Sequence, residues 1–220
     1  MKNVMEKTDI RIPMGAANLR GDLIVPKSSK GLILFAHGSG SSRHSPRNRF
    51  VAQVLNEARF ATFLMDLLTE DEEKEDQWQG HLRFDVTMLA KRLIAATDWL
   101  DRHPQTQNLK VGYFGASTGS AAALIAAPER SKIVKAIVSR GGRPDMAEET
   151  LSRVQVPTLL IVGGDDIQVI ELNKEAFSKI RIKEKKLEIV PGATHLFEEP
   201  GTLELVARLA TQWFDRYLCS

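Results

Sequence analysis

Ser117 stands in the pattern Gly-x-Ser-x-Gly formed by residues 115–119. An apolar run, LKVGYF, precedes it and an alanine-rich run, SAAALIAA, follows it, so the pattern predicts a sharp turn from a strand into a helix. Flanking glycines let such a turn form without clashes, and the strained backbone would project the serine hydroxyl into the open. We therefore interpret Ser117 as a nucleophile, with a small-residue turn or a phosphate-binding loop as the alternatives.

A serine hydroxyl becomes a good nucleophile only when a base takes its proton, and His195 is the best-placed histidine. It follows the last apolar run, in the turn-rich segment PGATHLFEEPG, where a side chain can reach across a sheet edge. A histidine base in turn needs a carboxylate that orients its ring. The segment GGDD (163–166) follows the run PTLLIV and offers two candidates, Asp165 and Asp166.

The developing oxyanion of such a reaction needs hydrogen-bond donors. We assign them to the backbone N–H groups of Ser39, in the glycine-rich segment HGSGSS (37–42), and Thr118, at the start of the helix after the nucleophile. We expect His37 to brace the glycine-rich segment. Neither a Walker-type nor a dinucleotide-binding glycine pattern follows, so a nucleotide site is weakly supported. The sequence has no metal-ligand spacing, and we expect neither a metal nor a cofactor.

Positioning these groups requires a sheet. Six short apolar runs predict strands that are covered on both faces, at 31–37, 60–66, 109–115, 133–139, 157–163 and 185–191. Helical spacing of apolar residues marks segments near 50–58, 81–103 and 203–213. Alternating strands and helices predict an α/β fold with a mostly parallel sheet and helices on both faces. Alternating stretches at 8–13 and 18–25 predict a hairpin at its edge. No linker interrupts the chain, so we expect one domain over residues 1–220.

Ligands of an open parallel sheet bind beyond the carboxyl ends of its strands. Besides the groups above, this edge should carry Arg140 and Arg143, and His81 could flank a pocket there. Guanidinium groups suit carboxylates, so we take these three residues as candidates for substrate binding and hypothesise an anionic substrate. The alternative is that the arginines brace loops by pairing with carboxylates such as Asp66 or Asp85.

Composition excludes several classes of partner. The chain has 30 Lys and Arg against 28 Asp and Glu, and a net charge of +2 gives no electrostatic footprint for nucleic acid. No apolar run approaches membrane-spanning length and no signal peptide is evident, so we expect a cytoplasmic protein without membrane contact.

The acidic segment 69–77 is typical of a solvated loop, with a mobile flap as the alternative. Oligomeric state is not predicted.

Four segments together, LILFAHGSGSS, YFGASTGSAAAL, PTLLIVGGDD and ATHLFEEPG, resemble the dienelactone hydrolase branch of the α/β-hydrolase superfamily. The similarity spans about residues 8–217. It implies an α/β-hydrolase fold, the chain order Ser117, Asp166, His195 for a catalytic triad, and no cofactor. Hydrolases of this fold commonly place the acid three residues after the glycine that ends the strand, which favours Asp166 over Asp165 as the carboxylate. The best-known members carry cysteine at the position of Ser117, a departure that favours a general carboxylesterase.

The resemblance implies small carboxylic esters or lactones as substrates. Only about 17 residues separate the strands ending at 139 and beginning at 157, the interval where lids are usually inserted, so we expect an open pocket without a large lid domain. Acyl transfer, thioester hydrolysis and peptide cleavage by the same triad remain alternatives, as does a non-catalytic binding protein of this fold.

Overall fold

The computed structural model describes residues 6–14 and 17–219. Its eight strands are β1 (Lys7–Met14), β2 (Ala17–Ile24), β3 (Leu32–Ala36), β4 (Ala61–Met65), β5 (Val111–Ala116), β6 (Val134–Arg140), β7 (Thr158–Gly163) and β8 (Lys185–Val190). Its seven helices are α1 (Pro46–Glu57), α2 (Glu70–Gln79), α3 (Val86–Leu100), α4 (Thr118–Glu129), α5 (Glu148–Leu151), α6 (Ile167–Lys179) and α7 (Thr202–Leu218). The two lists describe an α/β fold, as predicted.

The strands form one sheet in the order β1-β2-β4-β3-β5-β6-β7-β8. β1 and β2 pair as an antiparallel hairpin and β2 pairs antiparallel with β4, whereas all the other pairs are parallel. The predicted edge hairpin is therefore confirmed, although residues 15 and 16 of its turn lie outside the described residues. All six apolar runs form strands, and β3, β4, β5 and β7 are buried along their whole length.

β8 departs from the expectation that both faces of every apolar run are covered. It lies at the edge of the sheet and only Val190 is fully buried in it. Ile189 is 43% exposed, and the strand begins with Lys185 and Lys186. Charged residues at an edge strand discourage pairing with another chain, which accounts for the mixed composition of this run.

Two apolar layers hold the helices against the sheet. One contains side chains of α3 and α4, including Leu93 and Leu124. The other contains side chains of α1 and α7, including Leu55 and Phe214. The predicted presence of helices on both faces is therefore confirmed, and the layers fix the carboxyl ends of the central strands at one rim of the sheet.

Two helix predictions need correction. The segment predicted as one helix over 81–103 is a 3₁₀ turn at Leu82–Phe84 followed by α3, because the Asp85 side chain accepts a hydrogen bond from the N–H of Met88 and so caps a new helix. The acidic segment 69–77 is not a loop: it lies within α2 and its N-cap. Thr69 and Glu72 form a reciprocal capping box, and Gly80 ends the helix in the left-handed region.

The interval between β6 and β7 contains only a 3₁₀ turn at Pro144–Ala147 and the four-residue helix α5. The prediction that no large lid domain is inserted there is confirmed. In the part of the chain that the structure describes, no helix is long and apolar enough to cross a membrane.

Candidate active site

Ser117 occupies the turn between β5 and α4. Its backbone has φ 49° and ψ −122°, a conformation that a residue with a side chain adopts only under strain. Its N–H donates to the carbonyl of Arg140 at the end of β6 (3.2 Å), and its carbonyl accepts from the N–H of Arg143 (3.2 Å). These two bonds hold the strained turn against the neighbouring strand, at the carboxyl edge of the sheet.

Glycines on both sides of Ser117 are required by close packing. A Cβ atom at Gly115 would lie 2.5 Å from the Cα of Ser120 in the first turn of α4. A Cβ atom at Gly119 would collide with the carbonyl oxygen of Ala36, the last residue of β3. The turn at residues 115–119, which we call the elbow, thus packs tightly between α4 and the end of β3. This packing explains the glycine spacing seen in the sequence.

The glycine-rich segment after β3 packs directly against the elbow. A Cβ atom at Gly38 would lie 2.9 Å from the Cβ of Ser117, so a side chain at position 38 would displace the serine. His37 fastens this segment: its Nδ1–H donates to the carbonyl of Gly38 (2.9 Å) and its Nε2 accepts from the N–H of Leu67 (3.0 Å). This pairing requires the neutral ring. Burial lowers the pKa of His37, which keeps the ring neutral.

His195 and Asp166 lie together at the same rim. Nδ1 of His195 is 2.7 Å from Oδ2 of Asp166, whereas Asp165 is exposed and only its backbone N–H, bonded to the carbonyl of Ala193, takes part in the turn. With Nδ1 engaged, Nε2 is the ring nitrogen left for a second partner. A Cβ atom at Gly141 would lie 3.5 Å from both Cε1 and Nδ1 of His195, so the imidazole packs on Gly141. Gly141 directly follows Arg140, whose carbonyl binds the N–H of Ser117.

Arg140 is buried (7% exposed) and points away from solvent into the loop that carries His195. Its Nη1 donates to the carbonyl of Leu196 at 3.5 Å, its Nη2 to Oδ1 of Asn48 at 3.4 Å, and its guanidinium lies 5.9 Å from the ring centre of Phe197. Within residues 6–14 and 17–219 it has no carboxylate partner. Burial and then the nearby Arg47 lower the pKa of Arg140 to about 10.

Arg143 has a different environment. Its Nε and Nη2 bind both carboxylate oxygens of Asp145, at 2.9 and 2.7 Å, so its charge is neutralised within its own turn. The partners that we considered from sequence are engaged elsewhere: Asp66 pairs with Arg43, and Asp85 caps α3. Both arginines therefore lie near the elbow, but neither lines the cavity described next.

A cavity of about 640 Å³ opens beside the elbow. Its wall includes both predicted oxyanion donors, Ser39 and Thr118. α2 and the 3₁₀ turn after it contribute another part of the lining. His81 precedes that turn and is exposed, and it does not line the cavity. Glu73, Asp76, Gln77 and Arg83 line the cavity from α2 and the 3₁₀ turn, and Leu67, Leu68 and Leu89 contribute apolar side chains.

The sequence analysis considered the segment 69–77 near the site only as a mobile flap, and it missed both the helix α2 and the place of Glu73 in the cavity lining. Two signals were present in the sequence: Thr69 followed three residues later by Glu72, which is the spacing of a capping box, and Gly80 ten residues after the first acidic residue. No cluster of three or more potential metal ligands occurs in the described part of the chain.

Comparison with protein families identifies this arrangement. A model of the family described as "Dienelactone hydrolase family" matches residues 19–217, which span most of the chain and all the site residues. The chain belongs to the dienelactone hydrolase family. Membership of this family and the mostly parallel sheet with helices on both faces identify the fold as the α/β-hydrolase fold.

Individual relatives agree on the fold. A crystal structure of a dienelactone hydrolase from Anabaena variabilis is 55% identical, covers 97% of this chain and 99% of its own, and superposes with a TM-score of 0.95. Est1E from Butyrivibrio proteoclasticus is 19% identical, covers 94% of this chain and 98% of its own, and has a TM-score of 0.79, which shows a shared fold.

A Mycobacterium tuberculosis H37Rv protein whose provisional name is phosphoribosyl transferase is 54% identical over 211 residues. The match covers 96% of this chain but 46% of that protein. The chain therefore spans about half the length of the curated relatives it matches.

Proposed function

We propose that this member of the dienelactone hydrolase family is a serine hydrolase that cleaves small carboxylic esters or lactones through an acyl-enzyme on Ser117. The observation that carries the proposal is the 2.7 Å contact between Asp166 and Nδ1 of His195, made at the rim where the strained Ser117 turn also lies. A serine held in this conformation at the same rim as an oriented imidazole is suited to become an activated nucleophile.

In the proposed reaction, Nε2 of His195 takes the proton of the Ser117 hydroxyl while Oγ attacks the carbonyl carbon. Asp166 fixes the ring and stabilises the imidazolium that forms. The oxyanion accepts hydrogen bonds from the backbone N–H groups of Ser39 and Thr118, aided by the positive end of α4. His195 then protonates the departing alcohol, and water, deprotonated by the same ring, releases the acid and restores Ser117.

Substrate size follows from the open site. The interval between β6 and β7 holds only a 3₁₀ turn and the four-residue helix α5, so no lid domain is inserted there. We therefore propose short acyl esters and lactones rather than long acyl chains, which need sequestration from water. The hypothesis of an anionic substrate receives little support, because Arg143 is paired with Asp145 and Arg140 is buried under the His195 loop.

The name of the mycobacterial relative does not lead to a second proposal. That protein is about twice as long as the matched region, and the groups at this rim are suited to acyl transfer to water rather than to transfer of a ribosyl group. Thioesterase, acyltransferase and peptidase activities would use the same groups, so only substrate tests separate them from ester hydrolysis.

The test is active-site labelling followed by a substrate panel. A fluorophosphonate probe should label Ser117 stoichiometrically in the native chain and fail to label S117A. Short p-nitrophenyl esters, lactones, thioesters and a peptide substrate should then show ester or lactone cleavage as the fastest reaction. An inert Ser117 would favour a non-catalytic binding protein, and faster thioester or peptide cleavage would overturn the substrate class.

A further inference from the structure

The cavity beside the elbow has two chemically different walls. Serine-rich loop residues of the segment 38–45 form one wall, and Leu67, Leu68 and Leu89 form an apolar floor. From the second wall, Glu73 of α2 contributes a half-buried carboxyl group. A site of this kind can surround a short aliphatic chain and still present one charge to its far end.

Charges around the cavity are paired, with one exception. Arg83 binds Asp76, Arg47 binds Glu198 at 2.8 Å, and Arg43 binds Asp66. On α2 itself, Glu70 binds Arg20 and Glu72 binds Arg92. Among the described residues, the Glu73 side chain has neither a hydrogen bond nor an ion pair, although Arg43 and Arg83 lie near enough to influence it. Each of those two arginines is committed to another carboxylate.

Because Glu73 is half-buried and unpaired, ionisation of its carboxyl group is unfavourable. Desolvation first, and then the negative charge of Asp66, raise its pKa above the ordinary range. A cation placed in the cavity would favour the charged form of Glu73, because it would supply the missing counter-charge in a partly water-excluded space.

The cavity also has a defined place relative to the proposed reaction. The alcohol must leave towards His195, which protonates it, whereas the cavity is lined by the oxyanion donors and not by residues 193–197. An ester bound with its carbonyl oxygen at Ser39 and Thr118 would therefore direct its acyl chain into the cavity.

We propose that this cavity is an acyl-binding subsite for short acyl chains that end in a cationic group, with Glu73 as the counter-ion. The inference rests on the proposed ester hydrolysis for the direction of the acyl chain. It reverses the charge expected from Arg140 and Arg143, because Glu73 lines the cavity and those two arginines do not.

The test uses three p-nitrophenyl butyrates whose terminal carbon bears a trimethylammonium, a tert-butyl or a sulfonate group, so that size is nearly constant and charge varies. At pH 8, the native chain should have a kcat/KM about tenfold higher for the trimethylammonium ester than for the tert-butyl ester, and the lowest value for the sulfonate. In E73Q the three values should converge, because the trimethylammonium ester loses its counter-ion and the sulfonate ester loses a repulsive charge.

The matched control is E75Q, which removes a carboxylate from an exposed position of the same helix that does not line the cavity. It should retain the native order of the three esters. Equal losses on all three esters in E73Q, or the same convergence in E75Q, would overturn the proposal.

A binding measurement separates this inference from the proposed function. Calorimetric titration of S117A with the trimethylammonium acid and the tert-butyl acid needs no turnover. The trimethylammonium acid should bind about tenfold more tightly, and the additional E73Q change should remove that difference. If S117A prefers the trimethylammonium acid but the native chain hydrolyses no ester, the proposed hydrolase function is refuted and the subsite is supported. If the native chain hydrolyses esters but S117A shows no preference for the cation, the subsite is refuted and the hydrolase function is supported.

Discussion

Nε2 of His37 accepts a hydrogen bond from the backbone N–H of Leu67 at 3.0 Å, and this bond joins the segment after β3 to the segment after β4. Because Nδ1 of the same ring binds the carbonyl of Gly38, one neutral imidazole connects the proposed oxyanion loop to the floor of the cavity. A buried group with two partners of this kind is costly to remove.

We expect H37F to lower the free energy of unfolding by about 1–3 kcal/mol, since the N–H of Leu67 would stay buried without an acceptor. H37Q is the matched control, because its amide oxygen can still accept that hydrogen bond. Urea unfolding at pH 8 measures both variants. A stability for H37F equal to that of H37Q would show that the bond contributes little.

His37 should also make stability depend on pH. Its folded pKa lies below the ordinary 6.5 because of burial, so the unfolded chain binds a proton first as the pH falls through 6.5. Stability is therefore fully present above that pH and decreases below it, with a slope of at most about 1.4 kcal/mol per pH unit from this group. H37Q does not titrate and should show a shallower decrease between pH 8 and pH 5.5. Parallel curves for the two chains would contradict the assignment.

Ser117 should exchange stability for reactivity. Its φ of 49° and ψ of −122° suit glycine, so the free energy of unfolding of S117G should exceed that of S117A by about 1 kcal/mol. Both variants should lose ester hydrolysis by at least about a thousandfold. Chemical unfolding and p-nitrophenyl butyrate assays are the measurements. An S117G chain less stable than S117A would mean that the turn carries no strain.

Asp166 and Asp165 provide a paired test of the proposed triad. D166N keeps the shape of the side chain but offers an amide to Nδ1 of His195, so kcat should fall by about 10²–10⁴. D165N changes an exposed neighbour and should leave kcat within about threefold. Steady-state kinetics on one short ester decides between them, and comparable losses in the two variants would remove the special role of Asp166.

Arg140 should act on catalysis through the loop that carries His195. R140M removes the hydrogen bond to the carbonyl of Leu196 and the contact with Phe197, and we expect kcat to fall about tenfold with little change in KM. The free energy of unfolding should be unchanged or higher, because burying a guanidinium without a carboxylate is itself unfavourable. R140K should recover part of kcat. A loss of stability without a loss of kcat would instead mark Arg140 as a purely structural residue.

Much of the fold could be predicted because a strand that is buried on both faces appears in the sequence as a short run of apolar residues. The run at 31–37 contains β3, and all the residues of that strand are buried, so neither face required polar residues. The run at 185–191 is predicted as a strand by the same criterion, although it contains Lys185, Lys186 and Glu188, and it forms an edge strand. Hydropathy alone does not say which strand will have only one neighbour, since that depends on the order of strands in the sheet.

The helix α2 could not be found by apolar periodicity, because its residues are almost entirely polar and only Asp76 is buried in it. What holds it is local and electrostatic: the capping box of Thr69 and Glu72, and acidic residues in the first turn, which favour a helix N-terminus. Helices of this kind are predicted from the capping residues at their ends rather than from an apolar face.

Chain order predicted the meeting of Asp166 and His195, because parallel strands bring their carboxyl ends to one rim. It did not predict the environment of Arg140 or Glu73. Both lie near that rim, but their surroundings depend on packing between elements far apart in sequence: Arg140 contacts Asn48 and Leu196, and Glu73 lines a cavity together with the loop at 38–45.

The attachment of α2 has a consequence for divergence within the family. This helix is anchored to the rest of the molecule largely by side-chain ion pairs, Arg92 with Glu72, Arg83 with Asp76 and Arg20 with Glu70, rather than by apolar packing. Substitutions at the exposed positions of α2 other than these three carboxylates can therefore accumulate without disturbing the interior, while the rim that holds Ser117 stays rigid. Selectivity and chemistry would then evolve on separate parts of the scaffold.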